Sequence, residues 1–213
     1  MKKNKALVLV YNGMSLSEIT LLTDYLTVFQ PWEEWWDIDT VGSINKEMIK
    51  TEDSFQIVPN KSFNEINFED YNLIILSGIM NPYPIAEDKE LIEFLKPLKE
   101  MVNRPLIASI SSSPILLAKS GILEDVKFTS GIFEETLNEF DFFEKKNIIR
   151  QPVVYDKRNN IITAIGFAYR EFAVQTAQIL GFDLPDDKFS GPRKDRAYTE
   201  DELRFYMYPQ KEN

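Results

Sequence analysis

The amino-acid sequence predicts a three-layer α/β sandwich built around a mostly parallel β-sheet. Short apolar runs alternate with longer segments of helical spacing through the first two thirds of the chain, as in consecutive strand–helix–strand units. The first run, residues 6–11, is apolar throughout rather than at every second residue, which is typical of a strand covered on both faces by helices. No repeat, linker or low-complexity segment divides the 213 residues, so we predict a single domain.

In the N-terminal half, buried strands and amphipathic helices follow one another. We predict strands at residues 6–11, 37–41 and 73–76, a short hairpin from 48–51 and 55–58, and helices at 15–29 and 85–102. In the first helix Ile19, Leu22 and Leu26 recur at helical spacing, and Pro31 ends it. Pro97 is expected to kink the second helix.

The C-terminal half continues the alternation and adds a second hairpin. We predict strands at residues 106–110 and 126–129, a hairpin from 153–155 and 161–163, and helices at 114–121, 133–140, 167–180 and 199–206. The last helix would begin at Thr199, with Glu202 completing a capping box. We expect the domain to span residues 1–185, with residues 186–213 forming a tail of the same domain.

Composition excludes several functional classes. The chain has 24 basic and 34 acidic residues, a net charge of −10 that would repel phosphate backbones and anionic lipids. It has no cysteine and no histidine, which rules out disulfides, thiolate metal sites, cysteine nucleophiles and Ser–His–Asp triads. Neither a metal-binding acidic loop nor a GxxxxGK(S/T) or GxGxxG motif occurs. We expect no nucleic-acid partner, no metal and no cofactor.

The N-terminus resembles a secretory signal only superficially, and a buried first strand explains its apolar run better. The run spans residues 6–11 and breaks at Asn12-Gly13, and no small-residue cleavage site follows. No apolar stretch approaches the roughly 20 residues needed to cross a bilayer. We therefore expect a cytoplasmic protein without a membrane partner.

Ligands of parallel sheets bind beyond the carboxyl ends of the strands. Four segments of the predicted topology reach that edge: residues 12–18, 77–82, 111–114 and 129–131. In the third, one small polar residue separates a strand from a helix. This pattern predicts an elbow that presents Ser111 at a helix N-terminus, where backbone N–H groups stabilise anions.

The elbow segment resembles that of a known family. Residues 108–123 read ASISSSPILLAKSGIL, which is similar to the Ala-x-Ile-Cys-x-Gly-Pro pattern of the ThiJ/PfpI family, a branch of the class I glutamine amidotransferase-like superfamily. Ser111 stands at the family's cysteine and Ser113 at its glycine. Ile79 replaces the second glycine of a Pro-Gly-Gly turn, and Ser130 lies where relatives often carry Thr-x-His. The resemblance implies a flavodoxin-like fold and a homodimer.

The resemblance also implies that Glu18 faces the elbow, since the family carries an acidic residue there that exchanges a proton with the thiolate. An alternative needs no active site. In Ser15-Leu16-Ser17-Glu18 the carboxylate would cap its own helix, as in a capping box.

Two functional hypotheses follow. The first is a non-catalytic protein that binds a small polar or anionic molecule, with Gly78, Ile79, Ser112 and Ser130 as ligand-binding residues beside Ser111. The second is a serine-dependent hydrolase or hydratase. In it Ser111 attacks, Glu18 accepts the proton and backbone amides near Gly78, Ile79 and Ser112 stabilise the oxyanion. The missing thiol and histidine favour the first hypothesis.

Overall fold

The computed structural model describes residues 4–31, 34–43, 45, 47–192, 194–200 and 203–204. The predicted helix at 199–206 lies largely outside these residues. The strands are β1 Lys5–Leu9, β2 Asp37–Gly42, β3 Ile49–Lys50, β4 Gln56–Ile57, β5 Lys61–Ser62, β6 Leu73–Leu76, β7 Leu106–Ile110, β8 Val153–Asp156 and β9 Ile161–Ala164. The helices are α1 Thr20–Leu26, α2 Tyr83–Ala86, α3 Lys89–Leu95, α4 Pro97–Glu100, α5 Pro114–Lys119, α6 Glu134–Glu139 and α7 Tyr169–Ile179.

Seven strands form one sheet in the order β5-β2-β1-β6-β7-β9-β8, and β3 and β4 form a separate antiparallel hairpin. All neighbours in the large sheet are parallel except β8 and β9. The central order reverses direction between β1 and β6, which is the topology of a flavodoxin-like doubly wound sheet. The predicted fold class is confirmed.

Helices cover both faces of the sheet. The chain leaves β1 toward β2 on one side and leaves β6 toward β7 on the other, so right-handed crossovers place their helices on opposite faces. Accordingly α1 packs against α7, while α2 and α3 pack against α5. The central strands β6, β7 and β9 are buried at every residue, as their predominantly apolar sequences predict.

Among the described residues the longest helix, α7, has 11 residues, well short of a bilayer-spanning length. Among the predicted elements, one strand and one long helix differ from the structure. The segment 126–129 forms only an isolated bridge between Phe128 and Ile148 rather than a strand. The predicted helix at 85–102 is divided into α2, α3 and α4, because Asp88 accepts a hydrogen bond from the Leu91 amide and caps a new helix.

Candidate functional site

A small cavity lies at the carboxyl ends of β1, β6 and β7, where the strand order reverses. Its volume is about 110 Å³, which is smaller than the pockets of most drug-sized ligands. The four segments predicted to reach this edge lie around it, and all four contribute to its wall. The lining residues are Glu18, Glu52, Ile79, Met80, Pro82, Ser111, Ser112, Gly131, Ile132, Phe133 and Thr136.

Ser111 occupies a strained elbow between β7 and α5. Its φ is +64°, a left-handed conformation that costs a residue with a side chain about 1–2 kcal/mol. Two backbone hydrogen bonds hold it: the Ser111 amide donates to the Ala164 carbonyl at 2.8 Å, and the Gly131 amide donates to the Ser111 carbonyl at 2.7 Å. These two hydrogen bonds to neighbouring segments hold the half-buried Ser111 side chain toward the cavity.

Glu18 faces the elbow, as the family resemblance implies. Its Oε2 accepts hydrogen bonds from the Gly78 amide at 2.7 Å and from the Ser77 hydroxyl at 3.2 Å. The first residues of the predicted helix bond to the loop after β6 instead, because the Ser15 amide donates to the Gly78 carbonyl at 2.9 Å. Helix α1 begins only at Thr20. The capping-box alternative is therefore wrong.

Burial raises the pKa of the Glu18 carboxyl above its ordinary value, and the nearby Glu52 raises it further. Hydrogen bonds from the Gly78 amide, Ser111 and Ser77 oppose this shift without cancelling it. Beneath the carboxyl, the Tyr11 hydroxyl donates to the Ser77 carbonyl and the Ser77 hydroxyl to the Ser15 carbonyl. Glu18 is thus a rigidly held acid that favours its protonated form more than an exposed glutamate does.

Three glycines leave the space that Ser111 and Glu18 occupy. A Cβ at Gly78 would lie 2.4 Å from Ser111 Cβ, 2.6 Å from Ser111 Oγ and 2.8 Å from Glu18 Oε2. One at Gly166 would lie 2.9 Å from Glu18 Oε1 and 3.0 Å from Ser111 Oγ. One at Gly131 would lie 3.3 Å from that Oγ. The hydroxyl and the carboxyl therefore share one crowded space. The three backbone positions beside it have no room for a side chain.

Two of the amides proposed to bind an anion, those of Gly78 and Ile79, are already occupied. The Gly78 N–H donates to Glu18, and the Ile79 N–H donates to the Ser112 hydroxyl at 2.9 Å. That hydroxyl in turn donates to the Ile79 carbonyl at 2.8 Å. The expectation that the Gly78 and Ile79 amides form a ready anion-binding or oxyanion notch is wrong, because protein oxygens fill both positions.

Other sequence-predicted and unpredicted residues complete the site. Ser130 is buried next to the cavity wall but is not part of it, and its Oγ has no hydrogen-bond partner among the described residues. Its role as a ligand-binding residue stays a prediction. Sequence reasoning missed Glu52, which reaches the cavity from the β3–β4 hairpin, and the enclosing Gly166. Within the described residues no three acidic side chains converge as a metal site would require.

The raised pKa of Glu18 predicts a pH-dependent contribution to stability. A carboxyl that binds its proton more tightly in the folded state contributes stability to the fold at low pH. This contribution is lost as pH rises from the ordinary pKa of 4.5 through the pKa of the folded state. Glu18→Gln removes this ionisation while keeping a similar shape. We expect the variant to gain stability relative to the parent protein with increasing pH, as measured by urea unfolding between pH 4 and pH 8.

Glu69→Gln provides the matched control, since Glu69 is an exposed acid just before β6, at the opposite end of the strand from the cavity. A difference between Glu18→Gln and the parent that stays constant over this pH range would contradict the buried, proton-retaining carboxyl.

The architecture and the site place the chain among known structures. The DJ-1 superfamily protein Atu0886 from Agrobacterium tumefaciens superposes with a TM-score of 0.70. The two sequences are 18% identical, and the match covers 86% of this chain and 93% of that chain. At this level of identity the likeness is one of fold.

Sequence comparisons identify the family. The DJ-1/PfpI family model matches residues 4–178. A Bacillus subtilis (strain 168) protein named "Uncharacterized protease YoaZ" is 33% identical over 158 residues, covering 69% of this chain and 68% of that protein. "Protein dj-1beta" of Drosophila melanogaster is 27% identical over 146 residues, covering 66% and 73% respectively. By its sequence and its fold, the chain belongs to the DJ-1/PfpI family.

Proposed function

We propose that the protein is a non-catalytic member of its family that binds a small polar molecule at the Ser111 elbow. Ser111 stands where the family pattern has a reactive cysteine, and the chain contains no cysteine or histidine that could supply this chemistry from elsewhere. A serine hydroxyl is protonated near neutral pH and is a poor nucleophile without a base. Homodimeric assembly and a cytoplasmic location belong to the same proposal.

The occupied amides carry this proposal. Acyl transfer depends on preorganised donors aimed at the developing oxyanion, and loss of one such donor typically slows the reaction about 10²–10³-fold. Here the Gly78 and Ile79 N–H groups already donate to Glu18 and Ser112. Hydrolysis that relied on these two amides would first have to break two hydrogen bonds that stabilise the loop after β6.

A serine-dependent hydrolase or hydratase remains the second candidate, and the elbow geometry favours it. Ser111 holds a strained φ of +64°, as nucleophiles at strand–helix elbows do, and Glu18 interacts with its side chain. In this mechanism Glu18, in its ionised form, would accept the Ser111 proton as the hydroxyl attacks.

The two candidates predict different outcomes with a serine-directed fluorophosphonate. We expect intact-protein mass spectrometry to show no adduct on Ser111. A panel of small esters and amides should be turned over no faster than by Ser111→Ala. Small polar molecules should still shift the backbone amide NMR signals of Gly131 and Gly166, and Ser111→Ala should weaken this binding modestly. A stoichiometric adduct located on Ser111, or turnover lost in Ser111→Ala, would establish the hydrolase instead.

A further inference from the structure

The cavity beside Ser111 has an acidic interior. Glu18 and Glu52 both line it, together with the hydroxyl-bearing residues Ser111 and Thr136. Every other lining residue is apolar apart from Ser112, whose hydroxyl is committed to the Ile79 backbone. Among the residues that the structure describes, the cavity wall therefore holds two carboxyl groups and no basic side chain.

Glu52 is fixed in place rather than free in solvent. Its Oε2 accepts a hydrogen bond from the Met80 amide at 2.8 Å, and its own amide donates to the Met14 carbonyl at 3.1 Å. The adjacent Asp53 accepts a hydrogen bond from the Leu16 amide at 2.6 Å. The tip of the β3–β4 hairpin is therefore tied to both loops that flank the cavity, which holds the Glu52 carboxylate at its edge.

The two carboxyls lack a counter-ion within the part of the chain that the structure describes. The ion pairs that described Lys and Arg side chains form all involve other acids, and none includes Glu18 or Glu52. Like charges so placed disfavour an anionic ligand and favour a cationic one. The net charge of −10 also favours the approach of cations over anions.

The mouth of the cavity is apolar. The Met80 and Phe133 side chains line it, although 72% and 63% of their surfaces are exposed to solvent. Pro82 and Ile132 extend the same wall. Large apolar side chains gathered at a cavity mouth indicate a contact surface for an apolar group, and an aromatic ring there also attracts an ammonium.

We propose that the cavity recognises small primary amines, bound as ammonium ions with a short alkyl group against Met80 and Phe133. This inference rests on the proposed binding function. An ammonium has three N–H donors, and the wall offers matching acceptors in the Ser111 hydroxyl and the Glu18 and Glu52 carboxyls. The Gly78 and Ser77 hydrogen bonds both go to Glu18 Oε2, so neither of them occupies Oε1. A cavity of about 110 Å³ limits the ligand to a few heavy atoms.

Three probes of equal length test the charge preference at pH 7: n-butylamine, n-butanol and n-butyrate. Binding is followed by NMR shifts of the Gly131 and Gly166 amides. We expect butylamine to bind most tightly and butyrate most weakly. Glu52→Gln should weaken butylamine binding about fivefold and leave butanol binding unchanged, an effect of the size expected for a partly exposed ion pair. Glu69→Gln, the remote control, should change neither affinity.

The outcomes separate this inference from the proposed function. Binding of butyrate as tight as that of butylamine, or no effect of Glu52→Gln on butylamine, would overturn the amine preference while leaving a polar-ligand site in place. Equal shifts with MgCl₂ alone would show that the acids attract any cation, which also overturns it. If none of the three probes shifts the amides beside Ser111, both the inference and the proposed binding function fail.

Discussion

Gly78→Ala is expected to destabilise the protein by about 3 kcal/mol, at the upper end of overpacking effects in a filled interior. The added methyl would lie 2.4 Å from Ser111 Cβ and 2.8 Å from Glu18 Oε2. Neither neighbour can retreat easily, because the backbone hydrogen bonds of Ser111 fix the elbow and the Gly78 amide itself holds Glu18. The change should therefore lower the urea midpoint and alter the NMR signals around the cavity.

A double-mutant cycle with Ser111→Gly identifies the cause of this loss. Removing the Ser111 side chain deletes both atoms that lie within 2.6 Å of the new methyl, and it also relieves the strained φ of +64°. The double variant should recover most of the stability that Gly78→Ala loses. A single variant within about 0.5 kcal/mol of the parent protein would contradict the close packing of the three residues, since contacts this short cannot be neutral.

The central strands could be predicted closely because local sequence and burial agree there. The strands β6 Leu73–Leu76 and β7 Leu106–Ile110 begin and end at the predicted residues. Each is a short, mostly apolar run with polar residues or proline on either side, which is the pattern of a strand covered on two faces. The two-residue edge strand β5 Lys61–Ser62 had no such signal and was missed.

Helix boundaries were predicted less well because tertiary contacts compete with helical hydrogen bonds. The helical pattern of residues 15–29 is real, yet the Leu16 amide donates to the Asp53 carboxylate instead of starting the helix. In the segment 85–102 the apolar spacing continues across the breaks, so periodicity alone suggests one helix. A new helix begins after Asp88, which caps its N-terminus, and another begins at Pro97, which has no backbone N–H to continue the preceding helix.

The site was predictable only where chain order carries information. Ser111, Glu18 and Gly78 follow strand ends, so topology brings them together. Glu52 lies in a hairpin that folds back over the cavity, and no local sequence pattern predicts that position. Gly166 follows β9. A glycine is needed there because Ser111 and Glu18 fill the adjacent space, and this crowding is visible only in three dimensions. Occupation of the Gly78 and Ile79 amides likewise depends on side-chain directions that spacing does not encode.

Ser112→Ala is expected to cost about 2 kcal/mol, because it leaves two backbone groups without a partner. The Ser112 hydroxyl accepts a hydrogen bond from the Ile79 amide at 2.9 Å and donates one to the Ile79 carbonyl at 2.8 Å, and its residue is 4% exposed. Urea unfolding measures the loss. Ser190→Ala removes an exposed hydroxyl and should stay within about 0.5 kcal/mol of the parent protein, as surface substitutions usually do.

The Ser112→Ala variant also tests whether the Ser112 hydroxyl keeps the Ile79 amide from binding an anion. Without the hydroxyl the Ile79 N–H becomes free at the cavity wall, so Ser112→Ala should bind n-butyrate more tightly than the parent protein while its stability falls. Ser112→Thr keeps the hydroxyl and should retain the weak butyrate binding of the parent. Tighter butyrate binding in both variants, or in neither, would mean that the Ser112 hydrogen bond does not control access to this amide. The loop after β6 would then not be closed to an oxyanion by this hydrogen bond.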